Sequence, residues 1–186
     1  HDKMKAKVVE KKGIAKHLAV RSFRLAEYWQ SDMFHPMRWV AEKTVYQKLR
    51  EAMGGRLRLV ISGSAKLSPD LERFYANIGV SIYQGYGLTE CSPVLSANFP
   101  GHNKRGTVGR PFPNVQIKIS PLGEILAKGP GITRGYHKDE EATQKLFDLN
   151  GWLHTGDLGE MDKDGYLTIT GRKKELFKTS VGKYVS

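Results

Sequence analysis

Cysteine is almost absent from this 186-residue sequence, with Cys91 alone. An internal disulfide framework is therefore excluded, and a reducing, cytoplasmic compartment is expected. Long apolar runs are also missing: no stretch approaches the roughly 18 residues that span a bilayer. Zinc-ligand spacing, internal repeats and low-complexity tracts do not occur, and His137 and His154 are isolated histidines with no paired ligand. The chain opens at His1 with neither an initiator Met nor a signal-peptide pattern, so it is expected to be a piece of a longer protein. Acidic residues are few, 19 against 30 Lys/Arg, leaving a net charge of +11. The first fifty residues hold 12 of the cations and 5 of the acids. Such an excess suits either a solvated helix face or contact with phosphates of nucleic acid or anionic lipid. No aromatic-interleaved basic ribbon favours nucleic acid, and none is expected as a partner.

What is present reads as a globular α/β protein, with 39% apolar and 26% charged residues. Residues 1–53 have helical spacing, with Trp39, Val40, Val45, Tyr46 and Leu49 as apolar positions, and Gly54-Gly55 as the stop. "LRLVISG" (57–63) predicts a buried strand. "SPDLERFYANIG" predicts a helix with Ser68 as N-cap, Pro69 in the first turn and Gly79 at its end. "VSIYQGYG" predicts the next strand. Strand, helix and strand in this order imply a crossover unit in a largely parallel sheet. After Pro100, "GTVGRPFPNVQIKIS", "GEILAKGP" and "GYLTITGR" read as short strands of a mostly antiparallel β lobe, with a helix at "DEEATQKLF". The resulting partition is 1–53 as a helical, basic lead-in, 54–103 as the α/β part, 104–171 as the β lobe and 172–186 as a terminal segment.

Ligands of α/β sheets bind beyond the carboxyl ends of strands. Two loops there draw attention, "SGSAKLS" and "QGYGLTE". Gly63, Ser64 and Ala65 are small enough for the backbone to approach a flat ligand. In the second loop Gln84, Gly85, Tyr86 and Gly87 precede Thr89 and Glu90. Tyr86 offers either a ring to stack on a ligand or a ring packed in a glycine turn. Thr89 offers a hydroxyl for a phosphate, and Glu90 a hard oxygen for Mg2+. Asp157, in "GWLHTGDLGE", sits where a strand should begin although Asp disfavours strands. Either a turn cap or a carboxylate accepting ribose hydroxyls accounts for it. "DKDG" (162–165) fails as a calcium loop, because the position that needs a bidentate Glu falls on Gly171; it reads as a hairpin turn. Cys91 has no basic helper nearby and reads as a buried thiol.

Taken together, "GGRLRLVISGSAKLSPDLERFY", "YQGYGLTECSPV", "GTVGRPFPNVQIKI", "GEILAKGPGITRGY" and "GWLHTGDLGEMDKDGYLTITGRKKELFKTSVGKYVS" resemble the acyl-adenylate-forming superfamily. They are most similar to its long-chain fatty-acid–CoA ligases, in order and spacing, over roughly residues 40–186. The resemblance implies a fragment of the large N-terminal domain, with an α/β sheet lobe followed by the β lobe. It implies that Gly63, Ser64 and Ala65 wall the adenine, and that Gln84 to Gly87 hold it with Tyr86 stacking. Thr89 would meet the adenylate phosphate, Glu90 would help hold Mg2+, Asp157 would take the ribose hydroxyls and Arg172 the ribose and phosphate side. Lys174 falls at the family's interdomain hinge. ATP, Mg2+, coenzyme A and a fatty acid are the implied cofactors and partners, with peripheral contact at the inner membrane surface left open. The family's Pro-Lys-Gly phosphate loop and its C-terminal adenylation lysine are not among these residues; Lys183 belongs to the hinge segment. The expectation is a middle piece that is inactive alone. Other adenylate-forming enzymes, acting on amino or aryl acids or luciferase-like, share most of these motifs, and a non-catalytic basic module is the alternative outside the family.

Overall fold

The computed structural model describes residues 2–10, 12–29, 36–173, 177–178 and 184–185. The chain divides into two compact units, His1–Ile61 with Leu67–Ile82, and Ser62–Lys66 with Tyr83–Ser186.

The first unit is mainly helical. It comprises α1 (Asp2–Val9), α2 (Gly13–Tyr28), α3 (Pro36–Ala41), a π-helical turn (Glu42–Tyr46), α4 (Gln47–Ala52) and α5 (Pro69–Asn77). Helix α2 buries Ala19, Ser22, Phe23 and Ala26. That spacing of three and four places them in one stripe facing a core of Val45, Tyr46, Phe74, Ile78 and Val80. The Phe23 and Phe74 rings lie 5.2 Å apart. Lys16, Arg21 and Arg24 are exposed on the same helix, and Lys12 just ahead of it. The C-terminal carbonyls of α2 are capped from α5: Asn77 Nδ2 donates to Ala26 O (2.9 Å) and Trp29 O (3.1 Å), and Arg73 Nε to Glu27 O (2.9 Å). Helix α5 starts as its sequence predicts, with Ser68 Oγ accepting from Asp70 N (3.3 Å). Gly79, at φ 83°, follows its end.

Two expectations for this unit need correction. Trp39 is 62% exposed rather than on the apolar face. The π-helical turn adds a residue to the helical repeat, so the inward phase runs through Ala41, Val45 and Tyr46 and leaves Trp39 outside. The strand predicted over 57–63 is only β1 (Val60–Ser62). Ile61 is 71% exposed, with Leu57 and Leu59 also exposed, because alternate residues of an extended chain point to opposite faces and this set faces outward. Tyr46 is buried in the unit's core, its hydroxyl donating to Ser22 O (2.8 Å). Burial pushes that phenol up to about 12. Tyr46→Phe is expected to cost about 1 kcal/mol in urea unfolding, the usual net value of a buried hydrogen bond.

The second unit is built from antiparallel ladders. Strand β2 (Ile82–Gly87) pairs with β3 (Val94–Ala97), and β3 with β4 (Arg110–Pro111), both antiparallel. Strands β2 to β4 are therefore joined antiparallel rather than in a largely parallel sheet, because after β2 the chain turns back at once. The second sheet is an antiparallel meander in the order β5 (Gln116–Ile119), β6 (Glu124–Lys128), β7 (Leu153–Met161), β8 (Leu167–Arg172). Helix α6 (Glu140–Leu146), N-capped by Asp139, lies between β6 and β7 in sequence. Val108 N donates to Leu167 O (2.8 Å) and Leu167 N to Gly109 O (2.9 Å), tying the segment before β4 to β8. Tyr86, Cys91, Leu95, Ile125, Ala127, Leu153 and Leu167 form one core. The β7–β8 hairpin turns at "DKDG", where Asp162 Oδ1 accepts from Asp164 N and Tyr166 N (both 2.9 Å). Lys104 pairs with that carboxylate at 2.6 Å, and the turn is the predicted hairpin. Two-residue strands β9 (Phe177–Lys178) and β10 (Tyr184–Val185) pair antiparallel. Lys174 lies outside the described residues.

Candidate nucleotide site

Strand β2 alternates, burying Ile82, Gln84 and Tyr86. A register irregularity between Tyr86 and Gly87 ends its regular pairing with β3. The chain then makes a short 3-10 turn, Thr89–Cys91, closed by Cys91 N donating to Leu88 O (2.9 Å). Thr133 N donates to Glu90 O (2.7 Å), and Tyr136 Oη to Glu90 Oε1 (2.6 Å), so the loop after β6 pins this turn from outside. Cys91 is buried within the turn. Burial, reinforced by the Glu90 charge, raises its thiol to about 11 and leaves it unreactive at neutral pH.

Asp157 comes from the interior of β7, opposite Arg172 of β8. Its Oδ2 accepts from Tyr86 Oη (2.9 Å) and its Oδ1 faces Arg172 Nε (3.0 Å). Its backbone N–H donates to Thr155 Oγ1 (3.1 Å). An ionised carboxylate has about four lone-pair sites, so after these two partners it retains capacity for ligand hydroxyls. Burial drives the Tyr86 phenol far above its ordinary range; the Thr155 hydroxyl opposes this and the Asp157 charge adds to it. Tyr86 thus stays a proton donor to Asp157 at neutral pH.

These elements enclose a cleft of about 610 Å³, within the usual size of ligand sites. Ser64, Ala65, Gln84, Gly85, Tyr86, Gly87, Thr89, Glu90, Asp157 and Arg172 all line it, all within the second compact unit. Gly63 does not line it; a Cβ there would lie 3.7 Å from Gly85 O, so this residue backs the cleft wall. The Tyr86 ring belongs to the core and also borders the cleft. Ser64 adopts the left-handed conformation, φ 64°, unusual for a residue with a side chain. Sequence reasoning missed Lys66, Leu88, Gly106, Val108, Ile169 and Gly171 on the lining. Lys66 directly follows the loop already singled out, and Ile169 and Gly171 follow the two-residue period of β8; both signals were available. Among the described residues no cluster of three or more His, Cys, Asp or Glu could cage a metal. A single carboxylate such as Glu90 is nevertheless the usual protein share of Mg2+ binding when substrate phosphates supply other ligands.

The family model "AMP-binding enzyme" matches residues 16–137, which include the β2 half of the cleft but not Asp157 or Arg172. The chain is 46% identical over 147 residues to the long-chain-fatty-acid–CoA ligase FadD15 of Mycobacterium bovis, covering 79% of this chain and 24% of that protein. It is 42% identical over 160 residues to the peroxisomal long chain acyl-CoA synthetase 7 of Arabidopsis thaliana, covering 78% and 23%. It therefore spans about a quarter of the length of the curated relatives it matches. Its fold is similar to that of ATP-bound MatB from Rhodopseudomonas palustris, with a TM-score of 0.67, 33% identity, and coverage of 78% of this chain and 32% of that one. With the larger part of its length inside the family pattern, the chain belongs to the AMP-binding enzymes.

Proposed function

We infer that this cleft holds the AMP moiety of ATP in a long-chain fatty-acid–CoA ligase. The observation that carries this reading is the Asp157 carboxylate, held between Tyr86 Oη and Arg172 Nε on a cleft wall shared with Thr89 and Glu90. The names of the relatives support the acyl-CoA class. In this reading the adenine lies between the Ser64-Ala65 loop and the Gly85-Tyr86-Gly87 turn. Asp157 accepts the ribose hydroxyls, while Arg172 lies on the ribose and phosphate side. Thr89 donates to the α-phosphate, and Glu90 contributes one oxygen to Mg2+, whose chemistry is to neutralise phosphate charge. The reaction is attack of a fatty carboxylate on the α-phosphate, releasing pyrophosphate and leaving acyl-AMP. The thiol of coenzyme A then takes the acyl group and releases AMP. Donors aimed at the α-phosphate favour the first step because charge builds on its oxygens in the transition state.

Calorimetric titration of the 186-residue chain with AMP is expected to show saturable binding. ATP–pyrophosphate exchange with palmitate is expected to be undetectable from the same preparation, since the chain holds the AMP-gripping share of the reaction. Absence of AMP binding, with retention of polyanion binding that weakens steeply in salt, would instead favour the basic-module reading.

A further inference from the structure

We propose that Glu124, which does not line the cleft, is the positioning residue that sets the Asp157–Arg172 pair in place. It rests on the reading of Asp157 as the ribose acceptor. Glu124 opens β6 and is 4% exposed. Its Oε2 accepts from Lys173 Nζ (2.8 Å) and faces His154 Nδ1 (3.0 Å), and its Oε1 accepts from Gly156 N (3.3 Å). Gly156 and Lys173 each adjoin one member of the pair: Gly156 precedes Asp157 on β7, and Lys173 follows Arg172 at the end of β8. One buried carboxylate therefore ties down both sides.

The backbone explains why a tether is needed there. Gly156 has φ 74°, and the β6–β7 ladder shifts register between Glu124 and Leu126. A glycine in this conformation turns its N–H away from regular pairing, and a half-buried N–H needs another acceptor. Glu124 Oε1 receives that N–H. The next residue of β6 extends the brace: Thr155 Oγ1 donates to Ile125 O (2.7 Å) and accepts from Asp157 N (3.1 Å). Burial alone would raise the Glu124 carboxyl; the hydrogen bonds and charges of Lys173 and His154 outweigh it and hold the carboxyl below its ordinary range. The group is anionic at neutral pH, as the tether requires.

The test compares AMP with its 2′,3′-dideoxy analogue by calorimetry on the 186-residue chain and its variants, beside thermal unfolding and the Gly156 amide resonance. Wild type is expected to favour AMP. Glu124→Gln keeps the volume but loses the charge, and is expected to narrow that preference about fivefold, as for a charged hydrogen bond weakened rather than lost. The Gly156 amide resonance should shift with it. A merely structural role would weaken both ligands equally, and an unchanged preference ratio overturns the proposal. Should Glu124→Gln fail to fold, Lys173→Gln, altered from the half-exposed side of the pair, is expected to narrow the preference about twofold; an unchanged ratio there overturns the tether equally. A wild-type chain that binds AMP without preferring it over the dideoxy analogue removes the Asp157 reading beneath, and the proposal falls with it.

Discussion

Asp157→Ala is expected to weaken AMP binding by about 10- to 100-fold, the range spanned by losing hydrogen bonds to a charged acceptor. The same substitution should also destabilise the second unit, for a separable reason. Tyr86 Oη is buried and donates to Asp157 Oδ2; without that acceptor the hydroxyl pays its desolvation, about 1–3 kcal/mol. Arg172 adds little to the loss, because its side chain is 70% exposed and water replaces the carboxylate. Asp157→Asn divides the two effects. It can still accept from Tyr86, so most of the stability should return, while the charge that favours ribose hydroxyls does not. Tyr86→Phe on the Asp157→Ala background should then cost almost nothing further in stability, since the orphaned hydroxyl has gone. AMP titration and urea unfolding of the four proteins check the set. Wild-type AMP affinity in Asp157→Ala would remove this carboxylate from the site.

Much of the cleft was legible because its residues announce themselves locally. Small residues after a strand, a tyrosine between glycines and an aspartate in a strand context are each unusual, and the resemblance joined them. Their convergence depends on β7, β8 and β2 from Tyr83 onward lying in one unit. What escaped depends on distance. Glu124 reads as an ordinary acidic residue at the start of a strand; its partners lie 30, 32 and 49 residues away. No local pattern marks a carboxylate whose role is defined by residues brought to it through two ladders. The Trp39 error has a different origin: helical spacing assumes a constant repeat, and one π-helical turn breaks it. The short β1 reflects a third limit, since "LRLVIS" has a strand composition whether its apolar face is covered or, as here, exposed.

Gly87→Ala is the other large expected effect, and it concerns the glycines flanking Tyr86. The resemblance set both against the adenine. At Gly87 the protein's own chain already fills the space beside the backbone. A Cβ there would lie 1.8 Å from Pro93 O, 2.7 Å from Pro93 C and 2.8 Å from Val94 Cα. All three are backbone atoms of the returning segment, so no rotamer change can relieve the overlap. Separating β2 from the start of β3 would disturb the irregular Gly87–Val94 pairing that directs the chain into the Thr89–Cys91 turn. A loss of about 3 kcal/mol or more is expected in thermal or urea unfolding. Gly85→Ala is the control on the same strand. Its Cβ would meet Ser96 O at 3.4 Å and Ala97 Cβ at 3.6 Å, ordinary contacts, so stability should stay within about 1 kcal/mol of wild type. Any loss of AMP binding in Gly85→Ala then reports approach of the ligand to the backbone, unconfounded by folding. A Gly87→Ala protein that melts with wild type would show that the irregularity can slide, and would return that glycine to the ligand. The expected contrast assigns the two glycines different work: Gly87 lets β3 fold back against β2, and Gly85 leaves the cleft wall flat.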